Sequence, residues 1–109
     1  MALILPRGYH KISAIERNRI SWIEPDLAER QDIRPLRIGI INIMPLGMQY
    51  EFNLLHPLGL SPLQIEPIWI RLASHDYKTW DHEHLDELYV SWEQANATAP
   101  LDGLIITGA

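Results

Sequence analysis

Three short apolar runs, separated by stretches whose apolar residues recur every three or four positions, set the expected architecture. Leu36 to Ile43 is β-branched and apolar on both alternations, the pattern of a strand covered on both faces. Gly39 within it weakens the strand slightly and is expected to admit a closely packed helix. Asn42 is the one polar side chain near its carboxyl end, and Met44-Pro45-Leu46-Gly47 then forces a turn. Tyr50, Leu54, Leu55 and Leu58 follow at helical spacing and predict a helix over 47–58, with Pro57 at its frayed end. Leu63 to Ile70 alternates and reads as a second strand. Pro67 has no amide hydrogen to donate, so this strand is expected at a sheet edge or with a bulge there. Arg71 to Trp80 is a polar connection. Leu85, Leu88, Tyr89 and Trp92 mark one amphipathic helix over 81–94. Gly103 to Thr107 is the third buried strand.

Upstream of Pro35 the composition is irregular. Ile12, Ile15, Ile20 and Ile23 recur at helical spacing and predict a short helix over 11–19. Pro25 ends any helix nearby, Asp26 is placed to cap a further turn through Glu29, and Asp32 to Pro35 reads as a connector. The order is helix, then β-α-β-α-β. Strands alternating with helices imply right-handed crossovers and a parallel sheet. The carboxyl ends of its strands would gather Asn42 to Gly47, Arg71 to His75, and Gly108 at one edge. The chain divides accordingly into an N-terminal extension with a short helix, 1–35, and the first β-α-β-α-β part of an α/β domain, 36–109.

Composition narrows the function classes. With 47% apolar and 21% charged residues among 109, the chain is globular rather than disordered. A formal charge of −5 offers no field for a phosphate backbone, which argues against general nucleic-acid binding. The basic residues Arg7, Lys11, Arg17 and Arg19 read as a solvated helix face. There is no cysteine, hence no disulfide frame and no thiolate nucleophile. The apolar residues before Pro6 are too few for a signal segment or a membrane span, so a cytoplasmic protein without membrane partners is expected.

Three constellations bear on chemistry. His82-Glu83-His84 has metal-ligating residue types, but side chains two apart on a helix diverge, so no metal site is expected; Asp81 is expected to cap that helix. Ser74-His75-Asp76 has the residue types of a hydrolytic triad, yet such a relay needs side chains from different elements. His75 nonetheless falls at the functional edge of the sheet and is a candidate to touch a ligand. Gly108 follows a central strand, and a glycine turn there can aim bare amides at a developing oxyanion. Trp22, Trp69, Trp80 and Trp92 read as core or interface residues.

QDIRPLRIGIINIMP (Gln31 to Pro45), SPLQIE (Ser61 to Glu66), the Ser74-His75 pair, EHLDELY (Glu83 to Tyr89) and DGLIITGA (Asp102 to Ala109) together resemble the homoserine O-acyltransferases of methionine biosynthesis, which include the homoserine O-succinyltransferases. The resemblance runs in order along nearly the whole chain. It implies an α/β fold with a parallel sheet flanked by helices, similar to class I glutamine amidotransferases, a flavodoxin-like three-layer sandwich of which this chain is the N-terminal part. It implies acyl transfer from succinyl-CoA or acetyl-CoA to the homoserine hydroxyl, with the acyl-CoA a co-substrate and no bound cofactor. In the family a cysteine thiolate takes the acyl group first and a histidine paired with a glutamate serves as base. Those residues lie downstream of the TGA turn, so no catalytic side chain is carried over. By the amidotransferase analogy the backbone at Gly108 and Ala109 approaches the oxyanion, and Gly47, Glu51 and His75 mark the active-site edge.

Two departures stand out. Where the family carries a lysine after the Met-Pro turn, this chain has Gly47, and of the acidic pair that commonly follows only Glu51 matches. The reading is therefore the N-terminal portion of a homoserine O-acyltransferase-like enzyme, inactive over these 109 residues alone, with small-molecule substrates and with a homodimer left open for the whole protein. The alternatives are a serine O-acetyltransferase or another acyltransferase of the same family, and a short protein that binds without catalysis.

Overall fold

The computed structural model describes residues 2–108. In chain order they form β1 (Leu3–Ile4), α1 (Ile12–Arg17), β2 (Trp22–Ile23), α2 (Pro25–Glu29), β3 (Leu36–Ile41), α3 (Gly47–Gly59), β4 (Ile65–Ile70), α4 (His82–Leu88), α5 (Trp92–Ala95) and β5 (Gly103–Ile106). The strands belong to one five-stranded sheet in the order β2-β1-β4-β3-β5, and the pairings of β1 with β2, β1 with β4, and β3 with β5 are parallel. This is an α/β fold, as the alternation of elements predicts.

Contacts group the chain into two compact units: residues up to Leu36 with Glu51–Pro67, and Arg37–Tyr50 with Ile68 onward. In the first, Leu3 pairs with Trp22 and Ile4 with Ile23, through Leu3 N donating to Ser21 O (3.0 Å) and Leu5 N to Ile23 O (3.0 Å). The other flank of β1 meets β4 at Ile65, whose amide donates to Ala2 O at 3.1 Å. The side chain of Gln64 accepts from Ala2 N and donates to Gln31 Oε1, while its carbonyl accepts from Leu36 N. Leu3, Leu5, Ile15, Leu55 and Ile65 are buried.

In the second unit β3 and β5 pair from Ile38 with Gly103 through Ile41 with Ile106. Asp102 ties the start of that ladder, its carboxylate accepting from Arg37 N at 2.9 Å. The Arg37 guanidinium spans the loop after α5, donating to the carbonyls of Ala99 and Ala95. Ile41, Ile70 and Ala95 form a buried cluster, with Ile43, Ile68, Leu72, Val90 and Leu101 packed against it.

Several local expectations are corrected. The segment before Pro35 is not merely irregular: it supplies β1 and β2, each two residues long and so too short to show an alternation. Glu24, not Asp26, precedes α2, with Pro25 in the first turn where its missing amide costs nothing. Strand β4 is interior in the sheet order, not an edge. Its proline is tolerated because β1 is short. Ile65 donates to β1, and the next amide along that flank would be that of Pro67, so the ladder ends there. Gly39 is approached by side chains rather than a helix: a Cβ there would meet Leu101 Cδ1 at 2.8 Å and Ile70 Cδ1 at 3.0 Å.

The predicted single helix over 81–94 is two. Asp81 caps α4 as expected, accepting from Glu83 N and His84 N, but α4 stops at Leu88. Tyr89 turns extended, and Val90 forms a parallel bridge to Ile70, donating to Trp69 O and accepting from Arg71 N, both at 2.9 Å. Ser91 then opens α5 with a reciprocal capping box to Gln94. Trp92, which the helical stripe had placed on a buried face, is 45% exposed.

Candidate active site at the carboxyl end of strand β3

Open α/β sheets bind ligands beyond the carboxyl ends of their strands. In this chain the best-organised feature there is the turn after β3. Asn42 is fully buried, and its amide nitrogen donates to Gly47 O (3.0 Å) and to the Tyr89 hydroxyl (3.1 Å). Thr79 Oγ1 accepts from Leu46 N at 2.9 Å, and Trp80 Nε1 donates to Met44 O at 3.1 Å. Three side chains from outside the turn thus fix its backbone. They hold Leu46 at φ 54°, a left-handed conformation that costs a leucine about 1–2 kcal/mol. The hydroxyl of Thr107, just past β5, accepts from Ile43 N and donates to Ile41 O, locking the strand end that feeds the turn.

Beside this turn lies a cavity of about 140 Å³. Ile43, Met44, Pro45 and Trp80 give it apolar walls, and His75, Asp76, Lys78 and Thr79 complete the lining. Lys78 and Asp76 form an exposed ion pair at 3.6 Å. His75 is half-buried and stands edge-on to Tyr77 at 4.6 Å. Tyr77 is held in turn by Leu72 N, which donates to its hydroxyl, and by the Arg71 guanidinium over its ring. The arrangement can hold a small, largely apolar group next to one imidazole. With no cysteine in the chain it offers no thiolate.

The other candidate residues fall as follows. Gly47 is buried at the start of α3, and a Cβ built on it would lie 2.1 Å from Trp80 Cζ2. The indole occupies the place from which any side chain at 47 would emerge. Glu51, also on α3, is buried in the first unit, where its Oε1 accepts from the Tyr9 hydroxyl at 2.7 Å and meets His10 Nε2 at 2.9 Å. Gly108 is exposed with open space about its Cα, and Ala109 lies outside the described residues. Sequence reasoning missed Tyr9, His10, Thr79 and the site role of Trp80. Only Trp80 carried a signal, as a large aromatic at the end of a polar loop, and that signal read as core.

A model of the homoserine O-succinyltransferase family matches residues 2–109. The chain belongs to that family. Within it, the chain is similar to the homoserine O-acetyltransferase of Jannaschia sp. (strain CCS1), at 40% identity over 110 residues. It is similar also to the homoserine O-acetyltransferases of Roseobacter denitrificans, at 38%, and Bacteroides thetaiotaomicron, at 39%, each over 109 residues. Each match covers 100% of this chain and 35% of the relative. The chain therefore spans about a third of the length of these family members. No helix among the described residues is long and apolar enough to cross a membrane.

Proposed function

We propose that these residues are the N-terminal part of an acyl-CoA-dependent homoserine O-acyltransferase of the cytoplasm, built on a glutamine amidotransferase-like domain. The observation that carries the reading is the family match over the whole chain, together with relatives named homoserine O-acetyltransferase at close to 40% identity. In the proposed cycle a cysteine thiolate supplied outside this chain attacks the thioester carbonyl of acetyl-CoA or succinyl-CoA. The bond from the carbonyl carbon to the coenzyme A sulfur breaks, and coenzyme A leaves as its thiol once protonated. The homoserine hydroxyl then attacks the acyl-enzyme, gives its proton to a base, and the thiolate is regenerated.

This chain's part is to shape the floor of that reaction. The turn held by Asn42, Thr79 and Trp80 gives a rigid wall, His75 lines the adjoining cavity, and the backbone at Gly108 is proposed to face the oxyanion. Serine as acceptor is a second reading, kept open by Gly47 standing where the family resemblance leads one to expect a lysine.

The test is to express the complete reading frame that contains these residues and follow coenzyme A release. Acetyl-CoA and succinyl-CoA would each be paired with homoserine and with serine. Release with homoserine is the expected result; release with serine alone moves the assignment to the second reading, and no release with any pair overturns both. A polypeptide of these 109 residues is expected to release none.

A further inference from the structure

We infer that Trp80 is the residue that sets the size of the group admitted beside the Met44–Gly47 turn, and that Gly47 is a positioning residue acting through it. The inference rests on the acyltransferase reading above, and it concerns which acyl or acceptor group this site takes.

A Cβ on Gly47 would lie 2.1 Å from Trp80 Cζ2, 2.7 Å from Cη2 and 2.9 Å from Cε2. No real Cβ approaches ring carbons so closely, so any side chain at 47 displaces the indole. Gly47 is not in the left-handed region, where Gly8 is the only glycine among the described residues. Its role is close approach, not backbone freedom.

The indole is held by one hydrogen bond and two ring contacts, and its open side is the cavity. Its Nε1–H is committed to Met44 O at 3.1 Å. Its ring stands edge-on between Tyr77, at 5.3 Å, and Tyr89, at 5.1 Å. Tyr89 is fixed by Asn42, which also holds the Gly47 carbonyl. Backbone, glycine and ring are thus one packed unit, and interiors packed this way do not yield continuously.

The same indole lines the cavity with Ile43, Met44, Pro45 and His75. At about 140 Å³ the cavity is close to the size of an engineered apolar cavity that takes a benzene ring. It is open to solvent on one side, so it seats a group of a few heavy atoms, such as a short acyl chain or a small amino-acid side chain, while the rest of a longer ligand lies outside it. Displacing the ring changes that volume directly, so the identity of residue 47 reaches the ligand through residue 80.

The experiment uses the complete enzyme and four variants: Gly47→Ala, Trp80→Phe, Trp80→Ala and the double variant Gly47→Ala with Trp80→Ala. Melting midpoints are recorded alongside kcat and KM for acetyl-CoA, succinyl-CoA, homoserine and serine. Gly47→Ala is expected to lower kcat/KM by roughly tenfold to a hundredfold, as misplacements of about 1 Å do. That loss should vanish when Gly47→Ala is made in the Trp80→Ala background. Trp80→Ala is expected to shift the kcat/KM ratio of succinyl-CoA to acetyl-CoA, or of homoserine to serine, by at least about tenfold towards the larger group. Trp80→Phe, which keeps a ring but loses the N–H, should retain the wild-type preference with a raised KM.

Equal losses from Gly47→Ala in both backgrounds would overturn the coupling. An unchanged substrate ratio in Trp80→Ala would overturn the size-setting role. Should Gly47→Ala fail to fold, recovery of folding in the double variant supports the pair, and its failure refutes it. An inactive wild-type enzyme would defeat the acyltransferase reading instead, leaving the coupling to be decided by the melting midpoints.

Discussion

The phenol of Tyr9 donates a 2.7 Å hydrogen bond to Glu51 Oε1, the oxygen that His10 Nε2 meets at 2.9 Å. The carboxylate is wholly buried, so its partners stand in for lost water. Tyr9→Phe removes the hydroxyl and keeps the ring. It is expected to lower the unfolding free energy by about 1.5–3 kcal/mol, the range for a hydrogen bond to a charged group. Urea titration should show a lower midpoint with an unchanged slope; an unchanged midpoint would mean that Tyr9 is dispensable to Glu51.

Leu46 is held at φ 54° while its side chain is 47% exposed, so it carries a backbone cost with little burial in return. Leu46→Gly relieves about 1–2 kcal/mol of left-handed strain and adds roughly 0.5–1 kcal/mol of unfolded-state entropy. The difference favours the variant, by about 0–1.5 kcal/mol from the two ranges. A higher melting midpoint checks it. A fall would show that the leucine side chain contributes more than its exposure suggests.

The break between α4 and α5 rests on Ser91, whose hydroxyl accepts from Gln94 N at 3.1 Å while Gln94 Oε1 accepts from Ser91 N at 3.0 Å. Ser91→Ala should cost about 0.5–2 kcal/mol, the usual penalty for losing an N-cap. Amide exchange within Trp92–Ala95 should quicken more than in α4, and equal protection in both helices would contradict the assignment of Ser91 as the element's anchor.

Arg7, exposed, and Glu24, half-buried, form a two-point pair at 2.8 Å. The hydrogen bond from Arg7 is the main cause holding the Glu24 carboxyl below its ordinary value, and raising the arginine further. A lowered carboxyl contributes stability that is complete above the unfolded-state value and is lost as pH falls through the folded one. The melting difference between wild type and Glu24→Gln should be small near neutrality, shrink with added salt, and disappear below the ordinary carboxylate range. A difference that grows on acidification would reverse the sign and refute the pairing.

What the sequence disclosed follows from how local each signal is. Strand β3 and helix α3 were legible because their patterns run for six and thirteen residues. Strands β1 and β2 were not, since a two-residue strand has no period and exists only through its partners. The Leu85-to-Trp92 stripe overran Tyr89 and Val90 because a bridge to Ile70 is a tertiary choice, although the Ser91–Gln94 box was readable and would have marked the break. In the candidate site His75 was legible from its place after a strand. Thr79 and Trp80 were not, because their contacts to Leu46, Met44 and Gly47 cross more than thirty positions of chain.

The indole lying on Gly47 also constrains the order in which this surface can change over generations. A lineage that gains a bulky residue at 47 while the ring is present passes through an intermediate in which the two collide. One that first trades Trp80 for something slimmer does not. Of the two orders in which positions 47 and 80 can change, the one that begins at position 80 avoids the clash with the ring.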